Sequence, residues 1–226
     1  MRTIALNRPE SLNAMNAALI RDVSLAFDDA NGDEATRAII FTGKGRAFCA
    51  GDDRNAHGHP ENEQQARVLV DAIQRATRSI VFGAKPGWVR SMAGLWAAAL
   101  NGQSIAIFRS GRKVQRPSFR GSTQSVRHRG GDLHPAQYGW PLKAREMLML
   151  GERYSAYELL EAGVAWRVVE DEALMDEAAK IAIRLASQPV LSMRAMKRVL
   201  NQVGADGINR ALDLETEATV AGFHGP

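Results

Sequence analysis

Apolar residues fall into two rhythms along this 226-residue chain. The runs Thr3-Ile-Ala-Leu6 and Ala38-Ile-Ile-Phe-Thr42 are short, β-branched and followed by turn residues, Asn7-Arg-Pro9 and Gly43-Lys-Gly45. They predict two strands. Between them Leu12, Met15, Leu19, Val23, Ala26 and Ala30 step by three and four, which predicts an amphipathic helix closed by Asn31-Gly32. A second helical period runs from Glu63 to Phe82, with Ala66, Leu69, Val70, Ile73, Ala76 and Ile80 inward and Gly83 as its stop. Lys85-Pro86 then sets up an extended segment. Strand, helix, strand in this order is an α/β rhythm, implying a sheet covered by helices.

The pattern returns after a long interruption. Leu142–Leu150 predicts a short helix stopped by Gly151, and Ser155-Ala-Tyr-Glu158 is a capping box opening a helix that ends at Gly163. Val164–Val169 reads as a strand. Three helices are expected to follow: Glu172–Ala186, one from Pro189 through Leu200, and Asn209–Ala221.

From Gly87 to Trp140 neither rhythm holds. Three of the four tryptophans lie here, and residues 109–131 mix Arg, Gly, Ser and Gln without a period. Charge sets this quarter apart as well. It carries seven Arg and one Lys against a single acid, Asp132, a net of +7, whereas the rest has 21 basic and 24 acidic residues, a net of −3. The overall charge of +4 therefore belongs to this segment. Such composition suits a basic linker or an arginine-rich nucleic-acid segment that folds on binding. A nucleic-acid-binding reading would rest on residues 109–129 alone, and only Phe108 and Phe119 would interleave aromatics with the charges.

Several classes fall away. No apolar run approaches the ~20 residues of a membrane span, the N-terminus lacks a charged-then-apolar leader pattern, and one cysteine, Cys49, builds no disulfide framework. A cytoplasmic protein is expected, with no membrane partner. A nucleophilic hydrolase is disfavoured, because no Gly-x-Ser-x-Gly elbow is present. The pair His57-Gly-His59 reads as solvated loop histidines, and no metal is expected.

Gly43-Lys-Gly-Arg-Ala-Phe-Cys-Ala-Gly-Asp-Asp-Arg54 is the stretch with the chemistry. A buried strand opens here into a loop of small residues, Ala47, Ala50 and Gly51, that lets a ligand approach the backbone. An exposed amide at such a place can donate to an oxyanion. Leu6-Asn-Arg-Pro9, Asn13-Ala14, Ala38–Gly43, Ala47-Phe-Cys-Ala-Gly-Asp-Asp53, Pro141–Leu148 and Ala162–Val169 together resemble the crotonase family of enoyl-CoA hydratases and isomerases. The resemblance covers residues 1–86 and 141–226. It implies an α/β crotonase-like (ββα) spiral with a C-terminal helical module, with residues 1–140 forming the core, its central part disrupted at 87–140, and 141–226 supplying the rest. It also implies that the family's first strand and final helical residues are shortened here.

By the same resemblance the substrate is an acyl-CoA thioester, coenzyme A arrives with that substrate, and no resident cofactor is needed. The backbone amide of Ala50 would be one oxyanion donor, and Ser11, Leu12, Ala47, Gly51, Asp52 and Asp53 would line the CoA and acyl channel. A turn-capping role for Asp52-Asp53 stands beside that assignment. A homotrimer or hexamer built on the helical tail is expected, with no nucleic acid.

After the Lys-Pro strand, family members carry a run resembling Gly-Trp-Ala-Val-Gly-Gly-Gly-x-Glu, which supplies the second amide and a catalytic carboxylate. This chain has no such run. Met92-Ala93 and Trp96-Ala97, however, each impose a glycine codon two nucleotides on, and the neighbouring codons permit the family's run in that frame. Gly130–Pro141, read one nucleotide on, permits Gly-Ala-Thr-Phe-Ile-Leu-Pro-Ser-Thr-Val-Gly-Pro, another family-like run. Residues 87–140 are therefore expected to be a frameshifted translation within a crotonase-type gene, leaving the chain catalytically impaired.

Overall fold

A computed structural model describes residues 1–57, 60–91, 104–109, 113–114, 154–162 and 165–224. The expected helix at 142–150 and nearly all of the arginine-rich stretch lie outside these residues.

Five parallel strands form the main sheet in the order β1-β2-β3-β4-β7: β1 (Arg2–Leu6), β2 (Ile39–Gly43), β3 (Gly87–Ser91), β4 (Ser104–Arg109) and β7 (Arg167–Val169). All five residues of β2 are buried, as its continuous apolar run requires between β1 and β3. On β1 only Ile4 and Leu6 are buried. Two further short strands, β5 (Lys113–Val114) and β6 (Tyr154–Ser155), pair antiparallel as a separate ribbon.

The helices α1 (Ala17–Gly32) and α3 (Glu63–Val81) provide the crossovers β1 to β2 and β2 to β3, and they pack on each other. Asn16 caps α1 by accepting the Leu19 N–H at 2.9 Å, and Asn62 caps α3 by accepting from Gln65. Leu12 and Met15, expected at the start of the first helix, lie before it. Their apolar spacing continues the helical period, but Asn16 offers its side chain to the first-turn amides and starts the helix at Ala17. Gly83 follows α3 for a reason of space. A Cβ there would lie 2.3 Å from Asn31 Nδ2, so glycine lets α1 and the end of α3 approach.

The remaining helices are α4 (Ala156–Glu161), α5 (Leu174–Ala186) and α6 (Val190–His224), besides the single turn α2 (Arg54–His57). The capping box of α4 forms as expected: Ser155 accepts from the Glu158 N–H, and the Glu158 carboxylate accepts from the Ser155 N–H. The two helices expected near the C-terminus are one. Gly204 and Gly207 lie inside α6, where a glycine costs only about 1 kcal/mol, and α3 offers an extended surface. Asn201 Nδ2 donates to the Val81 carbonyl and Gln74 Nε2 to Glu215 along that contact.

The extended segment expected after Lys85-Pro86 is β3. Together β3 and β4 occupy the middle of the sheet, with Gly87–Val89 against Ile39–Phe41 and Gly87–Ser91 against Ser104–Phe108. Parallel pairing asks only for extended backbone, and Trp88-Val89 and Ile105-Ala-Ile-Phe108 have strand propensity.

Candidate functional site

The carboxyl end of β2 opens into the loop 44–53, which is anchored at its middle. Phe48 is 1% exposed and meets Phe41 of β2 edge-to-face at 5.0 Å, and Phe41 meets Phe27 of α1 at 5.1 Å. This aromatic chain fixes the loop to the core, so the small residues on either side are held rather than loose.

Along the loop's far half runs the segment 8–15. The Ala50 N–H donates to the Leu12 carbonyl at 3.0 Å, Met15 N–H to Gly51 O at 2.8 Å, and Asp53 N–H to Met15 O at 3.0 Å. Asp52 bridges Met15 in parallel register. Because Gly51 O and Asp53 N–H both face Met15, the intervening Asp52 directs its own N–H away from that segment. Two left-handed residues in succession, Leu12 (φ 52°) and Asn13 (φ 57°), turn the chain here, and Gly51 has φ 103°. Asparagine and glycine suit such conformations. A leucine there stores strain, which persists only where neighbours fix it.

The expected site residues do converge on this loop, but in different roles. Ala50 is exposed, yet its N–H is already committed to Leu12, which corrects its assignment as the open oxyanion donor. Gly51 is buried and its N–H meets Cys49 Sγ at 3.3 Å. Ala47 is buried, with its carbonyl accepting from Asn13. Ser11 and Leu12 are half-buried in and after the 3₁₀ turn Pro9–Ser11. Asp52 is half-buried. Asp53 takes the capping role: it accepts from Arg8 Nη1 at 2.8 Å and from the Ala56 N–H that opens α2. The Arg8 hydrogen bond holds its carboxyl below the usual carboxylate range, so Asp53 is an ionised structural partner rather than a proton acceptor.

The residues that organise the site, Arg8 and Asn13, carried no assigned role in the sequence. Arg8 also donates to the Ala14 carbonyl at 2.7 Å. Their signal was present in Leu6-Asn-Arg-Pro9 and Asn13-Ala14, polar residues of a turn flanked by apolar ones, but a buried loop amide and a surface one look alike in sequence. Glu63 and Glu158 sit at helix starts, and no cluster of metal-ligating side chains occurs among the described residues.

This loop at the carboxyl end of a strand, backed by helices, is where comparison with known proteins bears on the chain. The enoyl-CoA hydratase/isomerase family model matches residues 1–86 and 138–224. The chain belongs to that family. Its unmatched interval nearly coincides with the segment where the sequence loses both rhythms. A 1,2-epoxyphenylacetyl-CoA isomerase from Escherichia coli (strain K12) is 28% identical over 95% of this chain and 84% of its own length. A probable enoyl-CoA hydratase from Mycobacterium bovis is 30% identical over 90% of this chain and 79% of its own. Among solved structures, an enoyl-CoA hydratase/isomerase from Mycobacterium paratuberculosis superposes with a TM-score of 0.87 over 99% of this chain and 90% of that one, at 24% identity. The enoyl-CoA hydratase/isomerase fold is thus the fold of this chain.

Proposed function

We propose that the chain binds an acyl-CoA thioester in the groove beside residues 11–12 and 47–53 and polarises its carbonyl with a main-chain N–H. The donor is Asp52 rather than Ala50. One observation carries this: Met15 uses the groups on either side of Asp52, so the Asp52 amide faces the opposite side. Oxyanion donors act by being fixed before charge develops, and this one is fixed by the aromatic chain behind it and the hydrogen bonds beside it. CoA enters with the substrate, and no resident cofactor takes part.

The chemistry is that of a hydratase or isomerase, in which a carboxylate moves a proton beside the polarised thioester. Residues 87–140 contain no glutamate and one aspartate, Asp132. With the second donor and the carboxylate absent, the chain as written turns over slowly and binds in preference to reacting. Leu191, Val199 and Leu200 of α6 are each more than half exposed, which supports the homotrimer or hexamer expected from the helical tail. No helix among the described residues is long and apolar enough to cross a membrane, in keeping with a cytoplasmic setting.

Calorimetric titration tests the reading. A short acyl-CoA should bind more tightly than free CoA, and equal affinity for the two would remove the thioester from the proposal.

A further inference from the structure

We infer that Asn13 is the positioning residue of this site: its buried side-chain amide sets where the loop 44–53 lies against the segment 8–15. A buried hydrogen-bond node carries this. Asn13 is 0% exposed. Its Nδ2 donates to the Lys44 carbonyl at 2.9 Å and the Ala47 carbonyl at 2.8 Å, while its Oδ1 accepts from the Arg8 N–H at 2.8 Å. One side chain thus joins three stretches that have no strand pairing at those points. Both amide hydrogens are used, and a buried amide so satisfied cannot slip without leaving a polar group orphaned.

Two further features point the same way. Gly43 is the surface the node rests on. A Cβ there would lie 2.7 Å from Asn13 Nδ2, 2.6 Å from Ala47 O and 2.4 Å from Phe48 O, so this glycine lets the loop fold back onto Asn13. The backbone of Asn13 is left-handed, as is that of Leu12, whose carbonyl takes the Ala50 N–H. The side chain therefore holds a strained pair in place at the point where it fixes Ala50 and, through it, the start of the 51–53 ladder. Asparagine meets both demands, since it tolerates a left-handed backbone and presents two donors and an acceptor.

The role is stated for the acyl-CoA site and rests on that reading for its ligand arm. Asn13→Gly keeps the left-handed backbone and deletes the amide, while Asn13→Asp keeps the shape and turns acceptors toward the Lys44 and Ala47 carbonyls. Val70→Ala, in a small cluster with Ala66 and Val220 apart from the main core, serves as a control for general loss of stability. Amide hydrogen exchange of 44–53 should speed by about tenfold or more in both Asn13 variants relative to the control at matched unfolding midpoint, with β1 and β2 unchanged. The preference for butyryl-CoA over free CoA should fall by about tenfold, as the loss of about one well-placed hydrogen bond to the thioester does. Wild-type protection of 44–53 in both variants, or equal loosening in the control, overturns the inference. A wild-type protein with no preference for butyryl-CoA would sink the ligand reading, while loop exchange still decides the role of Asn13.

Discussion

Lys197 lies on α6 with 8% of its surface exposed, and its ammonium donates to the Lys85 carbonyl at 2.5 Å, just past the end of α3. Burial lowers its pKa to about 8. Lys85, itself buried, is lowered too, by desolvation and then by the Arg194 charge. For such a base the unfolded chain holds a proton that the folded chain has released, over the interval from about 8 up to the ordinary value of 10.5. Stability therefore rises with pH across that interval and is least favoured below it. Lys197→Met removes the buried charge and keeps most of the volume. Urea unfolding at pH 8 and pH 10 should show the wild-type gain shrink in the variant by on the order of 1–2 kcal/mol, less than the full shift because the carbonyl bond favours the charged form. Parallel pH slopes for the two proteins would remove Lys197 as the source.

Elements differ in how far their own residues announce them. In α4 the announcement is complete: Ser155 and Glu158 name the cap, and each satisfies the other's first-turn amide. Ser155→Ala should cost about 1 kcal/mol in thermal or urea unfolding, with Glu158→Gln losing less because a side-chain amide oxygen still accepts from the Ser155 N–H. A Ser155→Ala protein as stable as wild type would show that tertiary contacts, not the cap, hold this helix. The start of α1 was legible only in part. The apolar period ran on through Met15 and Leu12, and the competing choice of Asn16 as cap is a matter of one side-chain rotamer. The union of two expected helices into α6 depended on α3, which it meets through pairs 120 and 141 residues apart in sequence, a surface that local propensity does not record. The same holds for the site. The place proposed for it, the loop after β2, could be named from the small residues and the resemblance. The direction of each amide could not, because one left-handed turn at Leu12-Asn13 decides whether Ala50 or Asp52 faces outward.

At the scale of the whole molecule, a family fold carries a middle quarter that the family model leaves almost wholly unmatched. The sheet tolerates it: β3 and β4 close the register between β2 and β7, since backbone pairing needs extended conformation more than a particular sequence. Catalysis is less forgiving. One missing oxyanion donor costs roughly 10²–10³ in rate, and a missing acid–base group roughly 10²–10⁴. The described strands β3 and β4 thus pair without the family's glycine run, whereas the proposed chemistry would lose both groups that this run supplies. If residues 87–140 are a shifted reading of the parent gene, restoring the frame returns the glycine run and its glutamate. Hydration of a short enoyl-CoA should then rise by about 10⁴ or more over the chain as given, with little change in affinity for the CoA moiety, because the loop 44–53 is common to both. Resequencing the gene supplies the independent check. An unbroken frame encoding Gly87–Trp140 as it stands would end the frameshift account, and rapid hydration by the unrepaired chain would show that some other group supplies the missing proton transfer. Tight binding to RNA or DNA that weakens steeply with salt would assign the +7 segment a purpose of its own.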